Sequence, residues 1–227
     1  MNCTKCPNTK CFVQKYCLSE WHGYSEHHKI RKQISASKTI FSKGDLVTGL
    51  YIICSGKVKV LLKDTKGEEL IIRVAGNGQV LGHRGISDDM VYPISAETLI
   101  ESEIAYFSNE DFFKLLNANK DLSFYMMMFF ADELHRSEQL RHAHWNKSSE
   151  AKVAVALLMV INAFGYKDDE QKVLDLGMNY RELSKFARIS YPTLSRVLKD
   201  FTEQGIVRSM NNELIISDIE ALNSYVN

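Results

Sequence analysis

Four cysteines crowd the first seventeen residues: Cys3, Cys6, Cys11 and Cys17, spaced C-x2-C-x4-C-x5-C. Four thiolates on so short a segment can wrap one metal centre. The spacing suits an iron–sulfur cluster or a four-thiolate zinc site. Thiols acting without a metal are the third reading. His22, His27 and His28 follow closely and carry ring nitrogens that also bind metals, although surface histidines are more often solvated. A fifth cysteine, Cys54, sits in an apolar run and reads as a small buried strand residue. The N-terminus has no basic-then-apolar leader, so the reducing cytoplasm is the expected compartment and paired disulfides are not expected.

A second constellation runs from Asn179 to Leu198. Leu183, Phe186 and Ala187 form one apolar face, and Ile189 falls in a turn. Leu194, Val197 and Leu198 form the opposing stripe. Ser190 can cap a second helix through its hydroxyl, and Pro192 falls in that helix's first turn, where a missing N–H costs little. Two short helices joined by a tight turn make a helix-turn-helix, whose second helix enters the DNA major groove. The chain as a whole has 28 basic and 28 acidic residues, so attraction to DNA must rest on local charge. Locally, Arg181, Lys185, Arg188, Arg196 and Lys199 face only Glu182 as an acid. Arg196 can pair bidentately with guanine, and Tyr191, Thr193 and Ser195 can reach neighbouring base edges or phosphates. Arg181 and Lys199 supply phosphate contacts. A structural helical hairpin with a solvated basic face is the competing reading.

Four segments must position these groups. Residues 1–24 form the cysteine-rich arm. Residues 25–118 carry short β-type runs punctuated by glycine, such as Leu50–Cys54 and Lys57–Val60, which predict a sandwich or barrel. Residues 119–146 predict one long helix. Its apolar residues Leu122, Met126, Phe129, Phe130, Leu134 and Leu140 recur at three- and four-residue steps, and a second copy of the helix is the economical partner for them. Residues 147–227 predict an apolar helix from about Ser149, the helix-turn-helix, and a β-wing turning at Asn211–Asn212. The expected fold is therefore α+β. It has an N-terminal β-roll of the jelly-roll type, a long dimerisation helix and a C-terminal winged helix-turn-helix. No run of about 18 apolar residues appears, so no membrane span is expected. No Ser/His/Asp order, Walker loop, paired-carboxylate or H-E-x-x-H motif points to an enzyme.

These motifs resemble the Crp/Fnr regulators. The C-terminal match rests on Ser190, Thr193, Ser195, Arg196, Leu198, Gly205 and Ile206. The sensor match rests on Phe41, Gly44-Asp45, Leu50-Tyr51, Ile53, Ser55 to Val60 and Gly67 to Glu69. The resemblance implies a homodimer that binds a two-fold symmetric operator in double-stranded DNA and contacts RNA polymerase. A small-ligand-binding module without DNA binding is the alternative, and the winged helix-turn-helix speaks against it. Two departures stand out: Pro192 replaces a common glutamate, and Arg188 replaces the usual turn glycine.

Cyclic-nucleotide binders of the family hold the ribose with a glutamate and the phosphate with an Arg-Ser pair. Those positions fall on His83 and near Tyr92-Pro93, so no guanidinium is left for a cyclic phosphate. An effector pocket of other specificity is placed at Gly82, His83, Arg84 and Tyr92. Oxygen-sensing members carry three N-terminal cysteines and a fourth in the β domain. That fourth position falls near Ile104-Ala105, so Cys17, or Cys54 with the arm folded back, would have to substitute.

Overall fold

The computed structural model describes residues 8–64, 67–146, 148–210 and 213–226; the side chains of 139–146 are outside the description. Cys3, Cys6 and the Asn211–Asn212 turn lie outside the described residues, as does the Leu140 side chain. The backbone divides into two compact units, residues 1–69 with 75–135, and residues 70–74 with 136–227.

The first unit is built on the expected β-roll. The strands of the roll are β1 (Ile30–Ile34), β2 (Thr39–Phe41), β3 (Gly49–Ser55), β4 (Val58–Lys63), β5 (Glu69–Ala75, whose residues 70–74 group with the second unit), β6 (Val80–Leu81), β7 (Ser95–Thr98) and β8 (Ser102–Ser108). They form two sheets, ordered β1-β8-β3-β6 and β2-β7-β4-β5. Alternation sets the faces. In β4, Val58 and Val60 are buried, while Lys59 lies directly opposite Glu97 of β7 and pairs with it at 2.9 Å. Rings from separate segments stack inside the roll: Phe41 lies 4.1 Å from Tyr92 and 5.6 Å from Tyr51.

The arm is folded, which its short segments did not announce. Helices α1 (Phe12–Tyr16) and α2 (His22–His28) lie on the roll, and α2 runs through the expected arm boundary at residue 24. Phe12, Val13 and Cys17 join one apolar cluster with Leu50 and Ile52 of β3, Val80 and Phe107. Backbone geometry allows this close approach. Phe12 N–H donates to the Gly78 carbonyl at 3.3 Å, and Gly78 has φ +84°, a conformation that favours glycine. At the other end of the arm, Tyr24 Oη donates to Asp111 Oδ1 at 2.9 Å and His28 Nδ1 lies 2.9 Å from it. Asp111 stands in the first turn of α3 (Asn109–Ala118), which Ser108 caps. The Ser108 hydroxyl above all, with Tyr24 and His28 adding, holds this carboxyl below its ordinary range.

Helix α4 (Lys120–Asn146) agrees with the expected long helix. Its apolar stripe is divided, which corrects the expectation that a second copy covers all of it. Leu122 and Met126 are buried in the roll's own cluster, and Phe129 packs against that cluster. Phe124, Met127, Met128, Phe130 and Leu134 remain exposed. The sequence period identifies apolar positions, but the folded arm and roll decide which of them are already covered.

In the second unit, Ser148 caps α5 (Ser149–Phe164), which buries Val153, Ala154, Leu157 and Val160. Strands β9 (Tyr166–Asp168) and β10 (Val173–Leu174) extend the wing strands β11 (Val207–Met210) and β12 (Glu213–Ile216) into one sheet, ordered β11-β12-β10-β9. Helices α6 (Tyr180–Phe186) and α7 (Tyr191–Glu203) are the expected helix-turn-helix, and α8 (Ile219–Ser224) follows. Arg188 in the turn has φ +54°. No helix among the described residues is long and apolar enough to cross a membrane.

Two outcomes follow from the strained positions. A Cβ at Gly78 would lie 2.4 Å from the Lys10 carbonyl. Gly78→Ala should therefore lift the arm, cost about 1–3 kcal/mol and speed tryptic cleavage after Lys15. Arg188→Gly should relieve left-handed strain and stabilise the C-terminal unit by about 1 kcal/mol in chemical denaturation.

Candidate nucleic-acid interface and sensor region

The helix-turn-helix is fixed by local signals. Asn179 and Glu182 form a reciprocal capping box at the start of α6, each side chain bonded to the other's backbone N–H. Ser190 Oγ accepts from Thr193 N–H at 3.2 Å and lies 2.7 Å from Thr193 Oγ1, with Pro192 in the same first turn. Leu194, Val197 and Phe201 are buried, which turns the opposite face of α7 outward. Tyr191, Ser195, Arg196 and Lys199 are exposed on that helix, and Arg181 is exposed on α6. Thr193 is half-buried and engaged in the cap.

Two carboxylates on the same unit bracket Arg196. Its guanidinium reaches Asp200, one turn on, at 3.2 Å and Glu150 of α5 at 3.3 Å, yet its side chain stays 58% exposed. Glu150 is held below the ordinary carboxylate range, first by its own backbone N–H at the helix start and further by Ser148 and Arg196. Lys199 approaches Glu203 at 3.7 Å. These acids were missed from sequence. The i,i+4 spacing of Arg196 and Asp200 was a usable signal; Glu150, forty-six residues away, gave none.

The four residues assigned to an effector pocket have structural partners. Tyr92 is buried against Phe41 and donates its hydroxyl to the Gly49 carbonyl at 2.9 Å. Gly82 has φ +85°, and a Cβ there would touch Tyr51 and Tyr92 at 3.4 Å. His83 is buried edge-on to Phe129 and Phe130, with centroids 4.8 and 5.8 Å away. Glu133 of α4 is only 5% exposed; it lies 3.5 Å from His83 Nε2 and accepts from Arg84 at 3.1 Å. Arg84 is thus directed to the long helix.

The cysteines separate into two environments. Cys17 is buried, and its thiol donates to Asn119 Oδ1 at 3.5 Å. Asn119 also accepts from Leu18 N–H and donates to the Leu115 carbonyl, so this thiol belongs to a structural network. Cys11 and Cys54 are half-buried and both pack on the arm-facing cluster. Burial pushes the Cys54 thiol up to about 11, against the opposing pull of Arg31. Among the described residues, no group of three or more His, Cys, Asp or Glu is placed to hold a metal ion.

Residues 31–119 match the cyclic nucleotide-binding domain, and residues 151–225 match the Crp-like helix-turn-helix domain. The chain is 24% identical over 184 residues to a CRP-like cAMP-activated global transcriptional regulator of Mycobacterium tuberculosis, covering 81% of this chain and 82% of that protein. It is 21% identical over 208 residues to the transcriptional activator protein FnrA of Stutzerimonas stutzeri, covering 92% and 85%. Its fold is similar to the structure of FixK2 from Bradyrhizobium japonicum, with a TM-score of 0.76 at 17% identity, covering 87% and 96%. A nucleotide-binding-type roll in front, a Crp-like reading head behind and curated relatives that regulate transcription make this chain a member of the Crp/Fnr family of transcription regulators.

Proposed function

We propose that this regulator is a homodimer that reads a two-fold symmetric DNA operator through paired copies of α7 and contacts RNA polymerase. We further propose that it answers to a redox, oxygen or nitric oxide signal, or to another small effector, rather than to cyclic AMP. The observation that carries the DNA reading is the outward face of α7, where Tyr191, Ser195, Arg196 and Lys199 stand exposed over a buried Leu194–Val197–Phe201 stripe. Operator binding exchanges the Glu150 and Asp200 contacts of Arg196 for a guanine edge. Lys199 and Arg181 neutralise phosphates on either side.

The dimer reading rests on α4. Phe124, Met127, Met128, Phe130 and Leu134 expose apolar surface along a 27-residue helix. A second α4 packed along this face removes that surface from water, as in a coiled coil. Such a dimer relates two copies of α7 by the two-fold axis that a palindromic operator requires.

The effector reading rests on the roll and the arm. By the resemblance, the glutamate position of the family's nucleotide binders falls on His83 and their Arg-Ser position near Tyr92-Pro93, and Tyr92 is packed inside the roll. The arm instead carries thiols suited to an iron–sulfur cluster, with zinc or metal-free thiols as the alternatives. The half-buried Cys11 fits such a donor set, whereas Cys17 is engaged with Asn119. A bound cluster supplies a centre whose integrity responds to oxidants, and the protein's part is to present thiolates in a partly desolvated corner.

Two experiments test this function. Arg196→Ala should weaken specific operator binding by roughly 10- to 100-fold, the equivalent of about 1–3 kcal/mol, while binding to random DNA changes little in fluorescence anisotropy at fixed salt. Equal weakening on every sequence removes the base-reading role. The pair Phe124→Glu and Leu134→Glu should raise the dimer dissociation constant by at least about 100-fold, because each buried apolar side chain contributes about 1.5–3 kcal/mol. Light scattering that shows wild type monomeric at micromolar concentration removes the dimer.

A further inference from the structure

Helix α7 presents one outward ridge whose chemistry changes along its length. Tyr191 and Pro192 stand in the first turn, Ser195 and Arg196 in the next, and Lys199 beyond them. These positions recur at steps of three and four, so they share a face, and all are exposed. The ridge passes from carbon, through a hydroxyl and a guanidinium, to an ammonium group. Arg196 suits a guanine edge and Lys199 a phosphate. The leading turn offers a different surface.

Its polar groups are few and already engaged. The turn carries no acidic residue, so no carboxylate there accepts from the amino group of a cytosine. The hydroxyl oxygens of Ser190 and Thr193 lie 2.7 Å apart, and Ser190 Oγ also accepts the Thr193 N–H. Both belong to the cap. Proline has no N–H to donate. What stands outward is the Tyr191 side chain, 49% exposed, and the ring methylenes of Pro192. The Tyr191 ring also lines a hollow of about 250 Å³ with Leu194, Leu198 and Leu214, so apolar surface continues beside it.

Of the four bases, only thymine shows an apolar group in the major groove, its C5-methyl. A cytosine in the same place sets an amino donor against carbon, where it loses water and gains no acceptor. Pro192 precedes Arg196 by four residues on the same face, about 6 Å along the helix axis. That rise is on the order of two base-pair steps.

We infer that Tyr191 and Pro192 read the C5-methyl of a thymine in each operator half-site, within about two base pairs of the guanine that Arg196 meets. This rests on the operator reading given under Proposed function. The contact is packing and desolvation, with no bond or proton exchanged.

The test starts from duplexes that the full-length protein enriches from a random library. Each thymine is then replaced in turn by uracil, which lacks only the C5-methyl, and binding is read by fluorescence anisotropy at fixed salt. One replacement per half-site, close to the guanine, should weaken wild-type binding by roughly 3- to 10-fold, the effect of losing about one buried methyl contact. This readout needs no variant. The double variant Tyr191→Ala, Pro192→Ala should bind the thymine and uracil duplexes alike. Tyr191→Phe removes the hydroxyl but keeps the ring, and should keep the penalty for uracil. Uracil tolerated at every thymine, or a penalty lost in Tyr191→Phe, overturns the methyl reading and leaves operator binding standing. A library from which wild type enriches no sequence overturns the operator reading and this one with it.

Discussion

Helix α4 buries apolar side chains on one face and exposes them on another. Leu122 and Met126 are sealed against the roll and the arm, and Phe124, Met127 and Leu134 remain exposed. A fully buried side chain of this kind contributes about 1.5–3 kcal/mol. The inner face therefore cannot be given up lightly, and a partner docked on the exposed face would bear on it. Rotating α4 to improve the outer contact drags Leu122 and Met126 out of their places, because interiors are close-packed and do not deform continuously. The helix is thus the element through which the sensor unit and any partner have to negotiate.

Polar contacts reinforce this coupling. A carboxylate as deeply buried as Glu133 is costly unless it is paired, and its pairing with Arg84 and its closeness to His83 tie the helix to the turn after β6. The arm adds rings: Phe12 lies 5.8 Å from Phe129, and Tyr16 stacks at 4.0 Å on Tyr125. Phe12 follows Cys11 directly in the chain, and Tyr16 ends the same short helix. Changes in the arm and changes in the roll therefore converge on about two and a half turns of the helix, residues 125–133.

The legibility of the sequence varied with how local the cause was. The helix-turn-helix was legible at its second helix, because the cap at Ser190, the proline at 192 and the glycine at 205 act within one turn of chain. The roll was legible as alternation, down to Val58 and Val60. The arm was not: helices of five and seven residues have no period to detect and exist because Phe12 and Val13 find the face of β3. The division of the α4 stripe was hidden for the same reason, since a period tells which residues are apolar but not what covers them. The contacts of Gly78, Glu133 and Glu150 gave no signal, because their partners lie dozens of residues away.

The state of Arg196 illustrates what such distant partners do. Held between Glu150 and Asp200, the guanidinium is already ordered toward the outer face of α7, so less side-chain entropy remains to be lost at a base edge. The same two acids compete with DNA, and on a wrong sequence no bidentate partner offsets their loss. A phosphate alone replaces one ionic contact with another of similar strength. A correctly placed guanine offers two aligned acceptors in a site that excludes water. On the proposed base-reading role of Arg196, the intramolecular carboxylates would lower affinity for DNA in general more than for the operator. In a chain with no net charge, that difference would contribute to the proposed specificity.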